Sequence, residues 1–273
     1  MSPARTLRKV LACFRRDLAI ARSYRGAFLY ELLEALFGVA TYYYLSRFVQ
    51  SEELSRVLPG GVDYFAFALV GVAFYDYMTV SFDLFEDNLQ QARQNGTLEA
   101  LLVTETSLAT QLAGACMYPF LLLAMRTVVY LAWGVLLFGF PVGEANWSAA
   151  LLVLLVSIAS FAALGVLSAA HLLLFKKGTP VRWAFLGVAG LVSGMIYPVS
   201  VLPDWLQVVA RFLPVTWSLQ AMRGALLEGA SFAALWPAIQ VLLLFAAVLL
   251  PIALGVFTWA LRRTRITGTL THF

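Results

Sequence analysis

The sequence predicts an all-α polytopic membrane protein with six transmembrane helices. Of its 273 residues, 61% are hydrophobic and only 12% are charged, whereas soluble domains carry about 25% charged residues. The mean hydropathy is +0.82, so a water-soluble fold would have too little polar surface to cover itself. Six segments hold the roughly 20 mostly apolar residues that a membrane span requires. They are residues 27–48, 62–82, 110–139, 148–175, 182–201 and 234–260.

Lysine and arginine residues concentrate on one side of this six-span arrangement. They lie in the N-terminal segment, in the loop that holds Lys176 and Lys177, and in the tail from Arg262. By the positive-inside rule, both termini are cytoplasmic. Because the charges sit at the ends and in one loop rather than on a folded face, we expect membrane lipid as a partner and no nucleic acid.

Residues 1–25 predict an amphipathic helix that lies in the headgroup layer. Leu7, Val10, Leu11 and Phe14 recur near helical spacing, with arginines between them. A flexible basic anchor is the alternative. Cys13 and Cys116 are far apart and form neither a disulfide framework nor a metal motif, so we expect both to be packing residues and no metal to be bound.

The loop 86–107 carries the first informative segment. Residues 86–94 favour a helix, and Asn95-Gly96 ends it. Thr97 is placed to cap a second short helix whose apolar side holds Leu98, Leu101 and Leu102. Such a helix can insert into a groove on another protein. It can equally rest on the membrane surface, and the residues alone leave both open.

The segment 202–233 predicts a helical hairpin that enters the outer leaflet and returns before the last span. Pro203 and Pro214 suit helix starts, and Gly229 suits a helix end. Neither helix is long enough to cross. Asp204 and the interfacial Trp205 begin the first helix, while a surface loop with interfacial tryptophans is the alternative.

Span 182–201 contains Gly190 and Gly194, a small-residue pair four positions apart. Such a pair lets two helices approach closely, within one subunit or between two.

Charges within the spans invite a functional question because they are costly in lipid. Asp76 lies in the inner half of the second span and Arg126 near the middle of the third. We expect the two to form a structural ion pair, with substrate contact as the alternative. Tyr75 and Tyr77 flank Asp76 and are candidates for the same pathway. Glu31 and Glu34, near the cytoplasmic surface, are expected to snorkel or to pair with Arg22 or Arg25.

Taken together, these segments resemble the ABC-2 family of transporter permeases over essentially the whole chain, as a single transmembrane domain of residues 1–273. The most specific parts are Gly96-Thr97-Leu98-Glu99 ahead of Leu101-Leu102, and Tyr197-Pro198-Val199 through Leu206. Phe212 to Thr216 and Ala221-Met222-Arg223 to Gly229 continue the match. The family pattern usually has Asn-Pro where this chain has Leu213-Pro214.

The resemblance implies a permease in the plasma (inner) membrane of a prokaryote, working as two permease and two ATPase subunits. Loop 86–107 would couple to the ATPase, the hairpin would be an outer gate, and residues 1–25 would be the cytoplasmic interface helix. ATP and Mg would bind the partner ATPase, since the sequence contains no G-x-x-x-x-G-K-[ST] phosphate loop.

The largely apolar interior favours export of an amphipathic or lipid-like substrate, with polysaccharide or lipid-linked glycan export as the closest alternative. A stand-alone channel or secondary transporter lacks support, because we find no paired discontinuous spans in matching halves. An intramembrane enzyme lacks a catalytic constellation, and we assign no catalytic residue.

Overall fold

A computed structural model describes residues 3–23, 25–49, 58, 62–94, 96, 108–141, 143, 145–175 and 180–266. Within these ranges the regular structure is entirely helical, which confirms the all-α prediction. The nine α-helices of the described ranges are α1 Pro3–Ser23, α2 Arg25–Val49, α3 Tyr64–Gln94, α4 Leu108–Phe138, α5 Trp147–Phe175, α6 Pro180–Val192, α7 Asp204–Arg211, α8 Pro214–Leu227 and α9 Phe232–Ile266. A short 3-10 helix occupies Val199–Val201.

Four of the described helices are long and apolar enough to cross a membrane, so the chain is a multi-pass membrane protein. The crossing segments are Tyr64–Gln91, Gly114–Phe138, Trp147–Phe175 and Phe232–Thr264. Helix α2 has 25 residues, which corresponds to about 37 Å and exceeds the hydrocarbon core of about 30 Å. It carries the charged residues Glu31, Glu34 and Arg47.

The prediction of one continuous span over 182–201 is wrong. Helix α6 ends at Val192 after 13 residues, which cover only about 20 Å. The chain then bends through 193–197, and Gly194 adopts a φ of +83°. A residue with a side chain rarely adopts this left-handed conformation, so Gly194 supplies the break rather than a helix surface.

Helices α3 and α5 form the centre of the bundle. The apolar stretch of α3 is 72% buried and that of α5 is 50% buried, against 22% for α4 and 17% for α9. The two central helices cross closely at Gly165, where an added Cβ would lie 2.1 Å from the Ser81 carbonyl oxygen. Helix α9 packs along α5, and α8 contacts α3, α5 and α9.

The N-terminal helix α1 packs along α4. A Cβ at Gly114 would lie 3.2 Å from Cys13 Sγ, so the absent side chain lets the two helices approach. Cys13 therefore acts as a packing residue, as the sequence indicates.

The two short helices of the 202–233 segment begin at the prolines that predict them. Pro203 is the N-cap of α7, and Pro214 occupies the first turn of α8. The two helices differ in environment. Trp205 and Phe212 of α7 are 67% and 73% exposed, whereas most of α8 is buried. Helix α8 is therefore mostly within the core, whereas α7 contributes Ala210 to it and leaves other apolar side chains exposed.

Candidate functional site

The predicted coupling loop 86–107 begins within the last turns of α3. This helix runs without interruption from Tyr64 to Gln94, so the helix expected over residues 86–94 continues the preceding span. Gly96 has a φ of +65°, which suits the predicted helix break. Thr97, Leu98, Glu99, Leu101 and Leu102 lie outside the described residues.

A buried polar cluster lies at the base of this loop and joins three helices. Glu86 of α3 is 1% exposed. Its Oε1 accepts a hydrogen bond from Ser168 Oγ of α5, and its Oε2 lies 3.5 Å from Arg182 Nη1 of α6. Arg182 Nη2 also pairs with Asp83, one turn before Glu86. We name Asp83, Glu86, Ser168 and Arg182 the loop-base cluster.

Sequence reasoning did not identify the loop-base cluster. Glu86 was expected to lie in an exposed loop and Arg182 at the start of a span. The signal available was the spacing of Asp83 and Glu86, since residues three apart share a helix face. A buried carboxylate must be paired or hydrogen-bonded, and here both requirements are met from other helices.

The expected ion pair of Asp76 with Arg126 is replaced by a different pair. Arg126 Nη2 lies 2.9 Å from Glu34 Oε1 of α2, and the same nitrogen donates to Tyr130 Oη at 2.8 Å. Asp76 forms no contact with Arg126 within 4.0 Å and interacts with it only through longer-range electrostatics. Helices α2 and α4 are thereby linked, and Glu34 pairs across the bundle rather than with the nearby arginines of its own segment.

The two tyrosines beside Asp76 make contacts within the bundle. Tyr75 Oη donates to the Leu186 carbonyl at 2.7 Å and so ties α3 to α6. Tyr77 is fully buried, with its Oη 3.2 Å from Thr127 Oγ1 of α4. Both side chains therefore hold helices together in this structure.

Gly190 and Gly194 do not form a helix-packing pair, because Gly194 lies beyond the end of α6. Gly190 faces its own subunit instead. A Cβ at Gly190 would lie 3.2 Å from Tyr75 Oη. The four-residue spacing therefore does not mark a helix-packing surface, and Gly190 alone lies close to a tyrosine of α3.

Arg223 of α8 holds one end of the bundle together by hydrogen bonds to backbone carbonyls. Its Nη1 donates to Gly194 O at 2.7 Å, and its Nη2 donates to Met195 O at 2.7 Å and to Phe67 O at 3.0 Å. The guanidinium carbon lies 3.3 Å from the centroid of the Phe67 ring. Burial lowers the pKa of Arg223 to about 9, which leaves it charged at neutral pH.

Gly71 of α3 makes this arrangement possible. A Cβ there would lie 2.0 Å from Met195 O and 2.6 Å from Arg223 Nη2. No side chain fits in that space, so the bent segment after α6 contacts α3 directly. We name Gly71, Gly194, Met195 and Arg223 the carbonyl clamp, which fixes the base of the predicted hairpin. The other predicted hairpin residues Asp204 and Trp205 are exposed, and Pro214 is buried.

A multi-pass helical bundle agrees with the comparisons to known proteins. Residues 8–227 match the family model described as ABC-2 type transporter. The linearmycin resistance permease protein LnrN of Bacillus subtilis (strain 168) is 25% identical over 162 residues, which make up 58% of this chain and 40% of that relative. Less than half of that relative is therefore aligned. Because the family match covers most of the chain, this protein belongs to the ABC-2 type transporter family of membrane permeases.

Proposed function

We propose that the chain is the permease subunit of an ATP-binding cassette exporter and is driven by a separate ATPase that binds ATP and Mg. The observation that carries this proposal is the continuous helix α3, which extends from the membrane to Gln94 and leads into the loop 86–107. A force applied to this loop would act directly on a helix at the centre of the bundle.

The loop-base cluster gives that force a path to other helices. Glu86 is bonded to Ser168 of α5 and to Arg182 of α6. Rotation of the end of α3 must therefore move α5 and α6 or break buried polar contacts, and a broken buried pair is costly. We infer that ATPase docking at the loop changes the position of the short helix α6 relative to α3.

We propose an amphipathic or lipid-like substrate. The bundle surface is apolar, and its described interior charges are paired or few. The name of the Bacillus relative ascribes to it resistance to linearmycin, which supports efflux of a compound as the activity class. Export of a polysaccharide or lipid-linked glycan is the second candidate, because exposed aromatic side chains such as Tyr44 and Trp205 can stack on sugars.

We also propose a homodimer, now through the exposed side of α6. This helix makes few contacts with its own chain, and Trp183 and Leu191 are 72% and 65% exposed. A Cβ at Gly187 would meet no atom within 4 Å, so this position is open to a partner helix. A second copy would supply the other half of the translocation pathway. We place the dimer in the inner membrane of a prokaryote, with both termini of each chain in the cytoplasm.

The proposed function is tested by purifying the chain with its partner ATPase and measuring ATP hydrolysis in liposomes. We expect ATPase activity that rises in the presence of amphipathic compounds and falls when the permease is omitted. Stimulation by glycans alone would select the second candidate. Transport without any ATPase would contradict the exporter proposal.

A further inference from the structure

A groove of 330 Å³ lies between α2 and α4, and its lining shares no residue with the loop-base cluster or the carbonyl clamp. Its volume is at the lower end of the range of about 300–1,000 Å³ that is typical of small-molecule sites. The lining side chains include Glu31, Leu32, Leu122, Met125, Arg126 and Val128. Met125 and Val128 are 48% and 65% exposed, so the groove opens sideways from the bundle.

The two charged side chains of the groove differ in their ion-pair and hydrogen-bond partners. Arg126 is paired with Glu34 at 2.9 Å and bonded to Tyr130. Glu31, by contrast, has no hydrogen-bond donor and no cation within 4.0 Å among the residues that the structure describes. A carboxylate beside apolar side chains is stabilised only when a partner compensates its charge.

The surrounding charges make this groove a poor site for an anion. One cation, Arg126, interacts electrostatically with the three carboxylates of Glu31, Glu34 and Asp76, and its ion pair is formed with Glu34. Negative charge is therefore in excess around the groove, and Glu31 is its lining carboxylate without an ion pair among the described residues. A ligand with a positive head would pair with Glu31, whereas a ligand with a negative head would be repelled by it.

We propose that this groove binds an amphiphile that carries a protonated amine or quaternary ammonium group. The ammonium pairs with Glu31, and the alkyl chain lies along Leu122, Met125 and Val128 on α4. The inference rests on the proposed exporter function, because it names the class of substrate that enters from the side of the bundle.

The test measures saturable binding of radiolabelled dodecyltrimethylammonium to the purified permease in phosphatidylcholine nanodiscs, with empty nanodiscs subtracted. We expect Glu31→Gln to weaken this binding by about tenfold or more, since one ion pair is lost in an apolar setting. Unlabelled dodecyl sulfate, which has the same chain and the opposite charge, should not compete. Glu228→Gln is the matched control, because Glu228 is exposed at the end of α8, far along the chain from the groove.

A second variant distinguishes the contribution of the ligand's alkyl chain from that of its ammonium group. Val128→Trp fills the open side of the groove and should weaken binding of dodecyltrimethylammonium while leaving Glu31 in place. Gel filtration and thermal unfolding of each variant verify that it is folded.

Equal binding of the two detergents, or unchanged binding by Glu31→Gln, would overturn the inference. Preferential binding of dodecyl sulfate or of anionic lipid would overturn it as well. These results leave the exporter proposal untouched, because that proposal is tested separately by ATPase coupling through the loop 86–107.

Discussion

Arg182 on α6 pairs with Glu86 on α3, with Nη1 3.5 Å from Oε2. This contact connects the shortest of the apolar helices to the residue at which the predicted coupling loop begins. Glu86 is almost fully buried, so the ion pair is protected from solvent. The relationship predicts that α6 and the coupling loop respond to each other.

Replacing Arg182 with Gln should both destabilise the bundle and weaken coupling. The change leaves Glu86 buried without its cation, and breaking a buried pair in this way costs on the order of 3 kcal/mol. We expect a lower Tm in detergent and a smaller amount of substrate moved per ATP hydrolysed. Arg182→Lys retains the charge, so its Tm and its coupling should lie between those of the wild type and those of Arg182→Gln. A wild-type Tm and wild-type coupling in Arg182→Gln would show that the contact is unimportant.

The carbonyl clamp predicts a steric effect at one glycine. Gly71→Ala places a Cβ 2.0 Å from Met195 O and close to Arg223. The bent segment after α6 must therefore shift, or α3 must move away from it and from α8. We expect a drop of several degrees in Tm and a lower folded yield. Gly255→Ala on α9 is the matched control, because its Cβ would meet nothing within 4 Å. If the two variants unfold at the same temperature, the close approach at Gly71 is not required.

Membrane orientation is testable with single cysteines in a chain whose Cys13 and Cys116 have been replaced. Cysteines at the exposed positions Gly143 and Glu228 should react with an impermeant reagent added to intact cells. Cysteines at the exposed positions Gln91 and Arg262 should react only after the membrane is opened. External labelling at Gln91 would contradict the topology that the positive charges indicate and would favour the inverted one.

The proposed dimer is testable by cross-linking along α6. A cysteine at Gly187 faces open space in one subunit, so two copies should form a disulfide-linked dimer on mild oxidation. A cysteine at Leu137 on α4, which is 56% exposed, should remain monomeric on the same gel. Efficient cross-linking at Leu137 with none at Gly187 would place the interface on α4 instead.

Local signals in the sequence predicted where helices begin and end. The helix that ends at Gln94 precedes Asn95-Gly96, and α7 and α8 begin beside Pro203 and Pro214. These boundaries depend on backbone preferences of a few adjacent residues, which a sequence displays directly.

Partners across the bundle could not be predicted in the same way. Apolar periodicity gave the depth of Asp76 and Arg126 but not the rotation of their helices, so Arg126 was assigned to Asp76 rather than to Glu34. The break at Gly194 was missed because an apolar run around it resembles a continuous span. It is stabilised by Arg223, which lies 29 residues away in the chain.

The central claim is that an ATPase drives this permease through the loop 86–107. Its most direct test is transport and ATPase co-purification for Leu101→Asp and Leu102→Asp, compared with Gln91→Ala at an exposed position on α3. An unpaired charge buried in the interface should lower the ATPase affinity by about a hundredfold or more. We predict normal membrane insertion, lost co-purification and lost transport for both aspartate variants, with Gln91→Ala close to wild type. Intact transport and ATPase binding in both aspartate variants would contradict the coupling role of this loop.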